Sequence, residues 1–179
     1  MSMLGHAFLN EITANNVILT PAEILEALRN KILKEFKQTG TDSETKDGMD
    51  ISLMRLNLKT KEIQWSGANN PLYYIVNGEL KEIPPDKQPI GYYPLMKPFS
   101  NHHIQGEKDT IVYLFSDGYA DQFGGPNGKK FKHSQLKEIV FSIHKNSLKD
   151  QKKILNETFE KWKGNLEQVD DVLIMGIRI

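Results

Sequence analysis

Two acidic clusters hold the residues whose types and spacing suit chemistry. Phe115-Ser116-Asp117-Gly118-Tyr119-Ala120-Asp121 closes an apolar run that begins at Thr110, and Val169-Asp170-Asp171 opens another, Val172-Leu173-Ile174. A buried strand that ends in an acidic residue beside a glycine sets a carboxylate at a sheet edge, where backbone can approach closely. Such oxygen donors suit a hard cation. Asp-Gly is also common in plain turns, and two acidic residues ahead of a strand also read as a polar turn. On an extended chain Asp170 and Asp171 cannot both point the same way, so only one of them faces a given site. The clusters say more together than apart. If their strands are neighbours, central in one sheet, Asp117 and Asp170 can share a divalent ion. Two-metal hydrolases use such carboxylates to hold ions roughly 3.5–4 Å apart, which activate water and neutralise phosphoryl oxygens.

Other motifs are weaker. Gly67-Ala68-Asn69-Asn70-Pro71 and Gln88-Pro89-Ile90-Gly91 read as turns, or as loops that shape a nearby site. His6, His102, His103, His133 and His144 show no ligand-like spacing and read as structural or exposed. The lysine-rich stretches 129–132 and 149–153 read as solvated surface. Trp65 and Trp162 read as core or rim. The chain has no cysteine, so any metal must be held by oxygen or imidazole.

The elements that must position these residues follow from periodicity and punctuation. Residues 2–14 read as a helix with Met3, Leu4, Ala7, Phe8, Glu11 and Ile12 near one side, beginning inside its own pattern. Thr20-Pro21-Ala22-Glu23 is a capping box with proline at the first helical position. Ile24, Leu25, Leu28, Ile32 and Phe36 then form a stripe that ends near Gly40, and the polar stretch Thr41–Gly48 reads as a mobile surface loop. Strands are expected over Asp50–Leu58, Glu62–Gly67, Leu72–Val76, Leu80–Ile83, Phe99–Gln105 and Thr110–Phe115, with Asn77-Gly78 as a hairpin turn. Residues 124–130 are polar and rich in Gly and Lys. One helix runs through Leu136, Ile139, Val140 and Ile143. A second runs from a Ser147…Asp150 cap through Leu155, Phe159 and Trp162, and Val172–Ile179 is a last strand with apolar residues on both faces. Grouped strands with helices before and after them indicate an α+β fold.

Composition narrows the function classes. The chain has 179 residues, which suits one domain, with 23 basic and 23 acidic residues and a formal net charge of zero. That balance gives no reason to expect nucleic acid or an anionic membrane as partner. No apolar run reaches membrane-spanning length and no signal peptide is visible, so the default location is cytoplasmic.

In order and spacing, five segments resemble the SpoIIE/RsbU branch of the metal-dependent (2C-type, PPM) serine/threonine protein phosphatases. They are Asp47-Gly48-Met49-Asp50-Ile51, Gly67-Ala68-Asn69-Asn70-Pro71, Pro89-Ile90-Gly91, Phe115 to Asp121, and Asp170-Asp171-Val172. The resemblance covers residues 1–179 as a single, incomplete domain. It implies a β-sandwich of antiparallel sheets flanked by helices. It also implies hydrolysis of phosphoserine or phosphothreonine on a regulatory protein, often an anti-sigma-factor antagonist. Two Mn²⁺ or Mg²⁺ ions would activate a bridging water, with no protein nucleophile. By the same resemblance Asp117 and Asp170 are metal ligands, Asp171 stands behind them, and Gly118 allows close packing beside Asp117. Asp47 and Asp50 match no ligand position.

The sequence also departs from the family. The family's first metal-binding segment has an Asp and a Gly-His-Gly ahead of a helix, and Met1-Ser2-Met3-Leu4-Gly5 resembles that helix already under way. The first strands and the bridging carboxylate are therefore expected to be missing. Two close cations would then have too little negative charge to offset their repulsion. This chain alone is expected to bind the ion pair weakly or not at all and to be inactive, and to self-associate through the uncovered sheet. The alternative is a non-catalytic protein-interaction domain with the same fold. An Asp-Gly-His-Gly-type segment encoded just before Met1 would favour the enzyme.

Overall fold

The computed structural model describes residues 2–14, 18–38 and 48–179. The loop expected over Thr41–Gly48 (Gly48 apart), the helix end near Gly40, and Asp47 lie outside the described residues. The elements run α1 (Ser2–Ala14), α2 (Pro21–Glu35), β1 (Ile51–Leu56), β2 (Glu62–Ala68), β3 (Leu72–Val76), β4 (Glu79–Ile83), β5 (His102–Gln105), β6 (Ile111–Phe115), α3 (Gly118–Asp121), β7 (Phe123–Gly124), β8 (Lys129–Lys130), α4 (His133–Ile143), α5 (Leu148–Lys163) and β9 (Ile174–Arg178). They fall into two compact units, Met1–Pro71 with Pro84–Gly106, and Leu72–Ile83 with Glu107–Ile179.

The first unit is built on α2. The Thr20 hydroxyl accepts from the Glu23 amide at 3.3 Å, and the Glu23 carboxylate accepts from the Thr20 amide at 2.7 Å, which satisfies two orphan donors of the first turn. Leu25, Leu28 and Ile32 are fully buried and join Ala68, Ile90 and Phe99 in one core. The antiparallel sheet β1-β2-β5 lies in the same unit. Phe8, Leu9 and Ile12 of α1 pack against that core, whereas Met3 is 90% exposed. The buried side of α1 is thus rotated from the expected stripe and takes Leu9 in place of Met3. Trp65 is fully buried, and its indole donates to the Ser52 hydroxyl at 2.8 Å.

The Thr20 amide, and then its hydroxyl, hold the Glu23 carboxyl below its ordinary pKa. A carboxyl depressed on folding contributes stability above its unfolded pKa and loses it as pH falls through the folded one. Loss of the N-cap hydroxyl in Thr20→Ala should cost about 1 kcal/mol, read from the denaturant midpoint. Glu23→Gln should flatten the loss of stability on acidification, and unchanged pH dependence would contradict the capping box.

The second unit has the antiparallel sheet β4-β3-β6-β9, with α4 and α5 on one face. Asn77 and Gly78 turn the β3–β4 hairpin at φ 53° and 77°, the left-handed geometry of a two-residue hairpin loop. Tyr113, Phe115, Tyr119, Phe131, Leu136, Val140 and Phe159 fill the core. Polar tips inside it are satisfied. The Tyr113 hydroxyl donates to Gln151 Oε1 at 2.8 Å, and Gln151 Nε2 donates to the carbonyls of His144 and Asn146. Burial pushes the Tyr113 phenol up to about 12. Tyr119 donates to the Leu155 carbonyl at 2.8 Å, and burial raises its phenol as well. Ser147 caps α5 by accepting from the Asp150 amide.

Two features of the second unit differ from the sequence reading. The polar stretch after Asp121 contains the small hairpin β7–β8, turned through Gly125 and Gly128 at φ 65° and 58°. The last strand is Ile174–Arg178, and among the described residues it is the outer strand of its sheet rather than a central one. Leu173 and Met175 are accordingly 59% and 50% exposed. An apolar run fits a doubly buried strand and an edge strand equally well. Only the sheet order separates them.

Candidate functional site

The two acidic clusters meet at one end of the second unit's sheet. β6 pairs with β3 on one side and β9 on the other, and its apolar residues are buried on both faces at Ile111, Val112, Tyr113 and Phe115. The β6–β9 ladder is antiparallel, with Phe115 opposite Ile174. The last residue of one strand thus lies beside the first of the other. Ser116 extends the pairing beyond the strands. Its amide donates to the Leu173 carbonyl at 3.0 Å, its hydroxyl donates to the Asp171 carbonyl at 2.7 Å, and the Leu173 amide donates to that hydroxyl at 3.0 Å.

The chain then turns into α3. Asp117 takes the N-cap position at φ −71°, ψ −20°, and its carbonyl accepts from the Asp121 amide at 2.9 Å. Gly118 lies against the 170–171 segment. A Cβ there would stand 2.4 Å from the Asp171 carbonyl oxygen and 3.3 Å from the Asp170 carbonyl carbon. No side chain fits in that space without moving backbone. The structure therefore places residues 117 and 170 on touching stretches of main chain, although 53 positions separate them in the sequence.

Asp117 is half-buried, whereas Asp170 and Asp171 are exposed. Asp170 Oδ1 accepts from the Asp171 amide at 2.6 Å, and the Asp170 carbonyl accepts from Gln168 Nε2 at 2.8 Å. Asp171 contributes its main-chain carbonyl to Ser116. In donor chemistry the pair fits a hard divalent ion, since Mg²⁺ commonly sits on one or two carboxylates and keeps its remaining waters. Among the described residues no three acidic, imidazole or thiol groups converge. The described residues by themselves thus do not make up a site for a close pair of cations.

The remaining flagged residues have local partners. Asn69 adopts φ 59°, its amide donates to the Asp86 carbonyl, and its side chain donates to Asp50 at 2.8 Å. Buried Gln88 accepts from Arg29 and the Lys97 amide and donates to the Lys97 carbonyl, which closes the loop around Pro89-Ile90-Gly91. His102 lies against Trp65, His103 pairs with Glu62, His133 meets the Tyr73 hydroxyl, and His144 stacks on Phe141. The sequence reading missed Ser116. Its signal was its position between a buried strand and an acidic N-cap, where a hydroxyl can serve two main-chain groups at once.

The family model described as Stage II sporulation protein E (SpoIIE) matches residues 1–179. No curated protein sequence matches the chain. Among solved structures, the SiaA-PP2C domain of Pseudomonas aeruginosa is similar with a TM-score of 0.86 at 22% identity, covering 99% of this chain and 68% of that one. The phosphatase domain of SpoIIE from Bacillus subtilis has a TM-score of 0.59 at 11% identity, with 99% and 72% covered. The RsbU and RsbW domains of Rv1364c from Mycobacterium tuberculosis give 0.69 at 16% identity, with 98% and 46% covered. The chain belongs to the SpoIIE family, and its α+β fold, antiparallel sheets with flanking helices, is that of the PP2C-type phosphatase domains.

Proposed function

We propose that residues 1–179 act as one phosphatase domain that removes phosphate from phosphoserine or phosphothreonine on a regulatory protein, of the anti-sigma-factor-antagonist type, in the cytoplasm. The observation that carries this reading is the contact of Ser116–Gly118 with Asp170–Leu173, which sets two carboxyl-bearing residues side by side. Family membership supports it. So do the metals named for similar structures, an Mn-presoaked SpoIIE phosphatase domain and RsbX in complex with magnesium.

Asp117 and Asp170 would hold Mn²⁺ or Mg²⁺ by their carboxylates. Gly118 permits the approach, and Ser116 fixes it through the Asp171 carbonyl. A bound divalent ion supplies an acidified water and a Lewis acid for phosphoryl oxygens. Two carboxylates leave most of such an ion's coordination to water, so weak binding and low turnover are part of the proposal. The experiment is release of inorganic phosphate from a phosphoserine peptide, with Mn²⁺ and then with EDTA. Slow, EDTA-sensitive release is expected. Release that ignores EDTA would sink the metal-dependent reading.

A second reading is a non-catalytic domain that binds its partner through the same fold. Phosphopeptide binding without any release would select it. Self-association is a further part of the proposal, through the outer strand β9, where Met175 and the preceding Leu173 are exposed.

A further inference from the structure

Lys129, Lys130 and Lys132, which read as solvated surface in the sequence, line a cleft of about 470 Å³ in the second unit. Glu138 is the one acidic residue in its lining, and Trp162 forms part of the wall. Lys130 is compensated by Asp121 at 2.9 Å and lies 5.8 Å over the Phe123 ring. Lys129 and Lys132 are exposed and have no ion pair among the described residues. In a chain of zero net charge this is a local positive surface.

The cleft is also rigidly built. Gly124 and Gly125 pack against Trp162, where a Cβ on Gly124 would stand 1.9 Å from the Trp162 carbonyl oxygen. Phe131 is buried edge-on to both Tyr119 and Trp162. Lys132 sits at φ 76°, ψ 148°, a region that side-chain-bearing residues rarely adopt. Its amide donates to the Ala120 carbonyl at 2.7 Å and its carbonyl accepts from the Leu136 amide at 3.2 Å, so the main chain is held there at both ends.

Placement gives the cleft a role. Its lysines are tied to Ala120 and Asp121, the far end of the four-residue helix that Asp117 begins. Four helical residues span about 6 Å. An extended peptide advances about 3.3–3.6 Å per residue, so two or three of its residues cover a span of that order. We propose that this cleft receives an acidic segment of the phosphoprotein two or three residues from its phosphorylated side chain. The proposal rests on the phosphatase reading and names the substrate class for it, a phosphosite flanked by Asp or Glu.

The test measures binding of two labelled phosphoserine peptides, one with Asp/Glu flanks and one with neutral flanks, by fluorescence anisotropy. Emission of Trp162 reports occupancy of the cleft, since the other tryptophan, Trp65, is fully buried. Lys129→Glu with Lys132→Glu should weaken the acidic-flank peptide roughly tenfold and leave the neutral-flank peptide unchanged. Added salt should weaken the former more steeply than the latter, which keeps only its phosphate charge. Lys129→Gln with Lys132→Gln, at exposed positions, should give an intermediate loss, with the far-ultraviolet spectrum confirming the fold. Equal binding of the acidic peptide by wild type and both variants would overturn the proposal. So would displacement by a single-stranded oligonucleotide of matched charge at the same concentration, which would mark a general polyanion surface. Phosphate release is measured separately, so a failure of catalysis with intact, lysine-dependent binding counts against the phosphatase reading alone.

Discussion

Asp117→Asn is expected to reduce Mn²⁺-stimulated phosphate release by a hundredfold or more, while leaving the fold intact. Substitution of residues that merely orient a metal's ligands costs about 10–100-fold, so loss of a ligand itself should reach at least the upper end. The side chain is half-buried at the start of α3, and its isosteric amide keeps the shape of the turn. The main-chain contacts around it come from Ser116 and from the Asp117 carbonyl, which the substitution leaves untouched. Asp170→Asn should act in the same direction. Asp171→Asn should act weakly, because the Asp171 contact described here is its main-chain carbonyl with Ser116. Unaltered release from Asp117→Asn would remove that residue from the site.

Gly118→Ala should lower stability by about 1–3 kcal/mol, the usual cost of an added methyl group in a space already filled. For a chain of this size that corresponds to a fall of about 2–4 °C in Tm per kcal/mol. Helix propensity argues the opposite, since alanine is favoured over glycine by about 1 kcal/mol inside a helix. The steric term should win here, because the obstacle is main chain. The new Cβ would stand 2.4 Å from the Asp171 carbonyl oxygen, and the Asp171 carbonyl is fixed by Ser116. Relief requires the 170–171 segment to move away from α3, so metal affinity should fall together with Tm. A rise in Tm would show that the two acidic segments are not in tight contact.

Much of this architecture was legible in the chain. The Thr20–Glu23 capping box, the Asn77-Gly78 hairpin and the Ser147 cap each depend on residues within four positions of one another, and each formed as read. β3 and β6 were visible because their apolar runs are bounded by turn residues on both sides. The illegible parts have two causes. The helix α3 has four residues and the strands of the β7–β8 hairpin have two each, too short for any periodicity to register. The position of β9 at the edge of its sheet, and the meeting of residues 117 and 170, are set by strand order and register. The chain's own pattern does not encode either at short range. Ser116 belongs to the second group, since a serine gains its bridging role only once Leu173 lies opposite. The lysines at 129–132 do too, because only the hairpin gathers them around Trp162.

The central claim is that Asp117 and Asp170 bind one divalent ion between them. Titration of the chain with Mn²⁺, following loss of the free-ion paramagnetic resonance signal, measures this without recourse to activity. The expected result is one weak site, displaced by Mg²⁺, whose affinity drops by at least tenfold in Asp117→Asn and in Asp170→Asn separately, and which is lost in the double variant. Binding that is absent, or that survives both single substitutions unchanged, would contradict it.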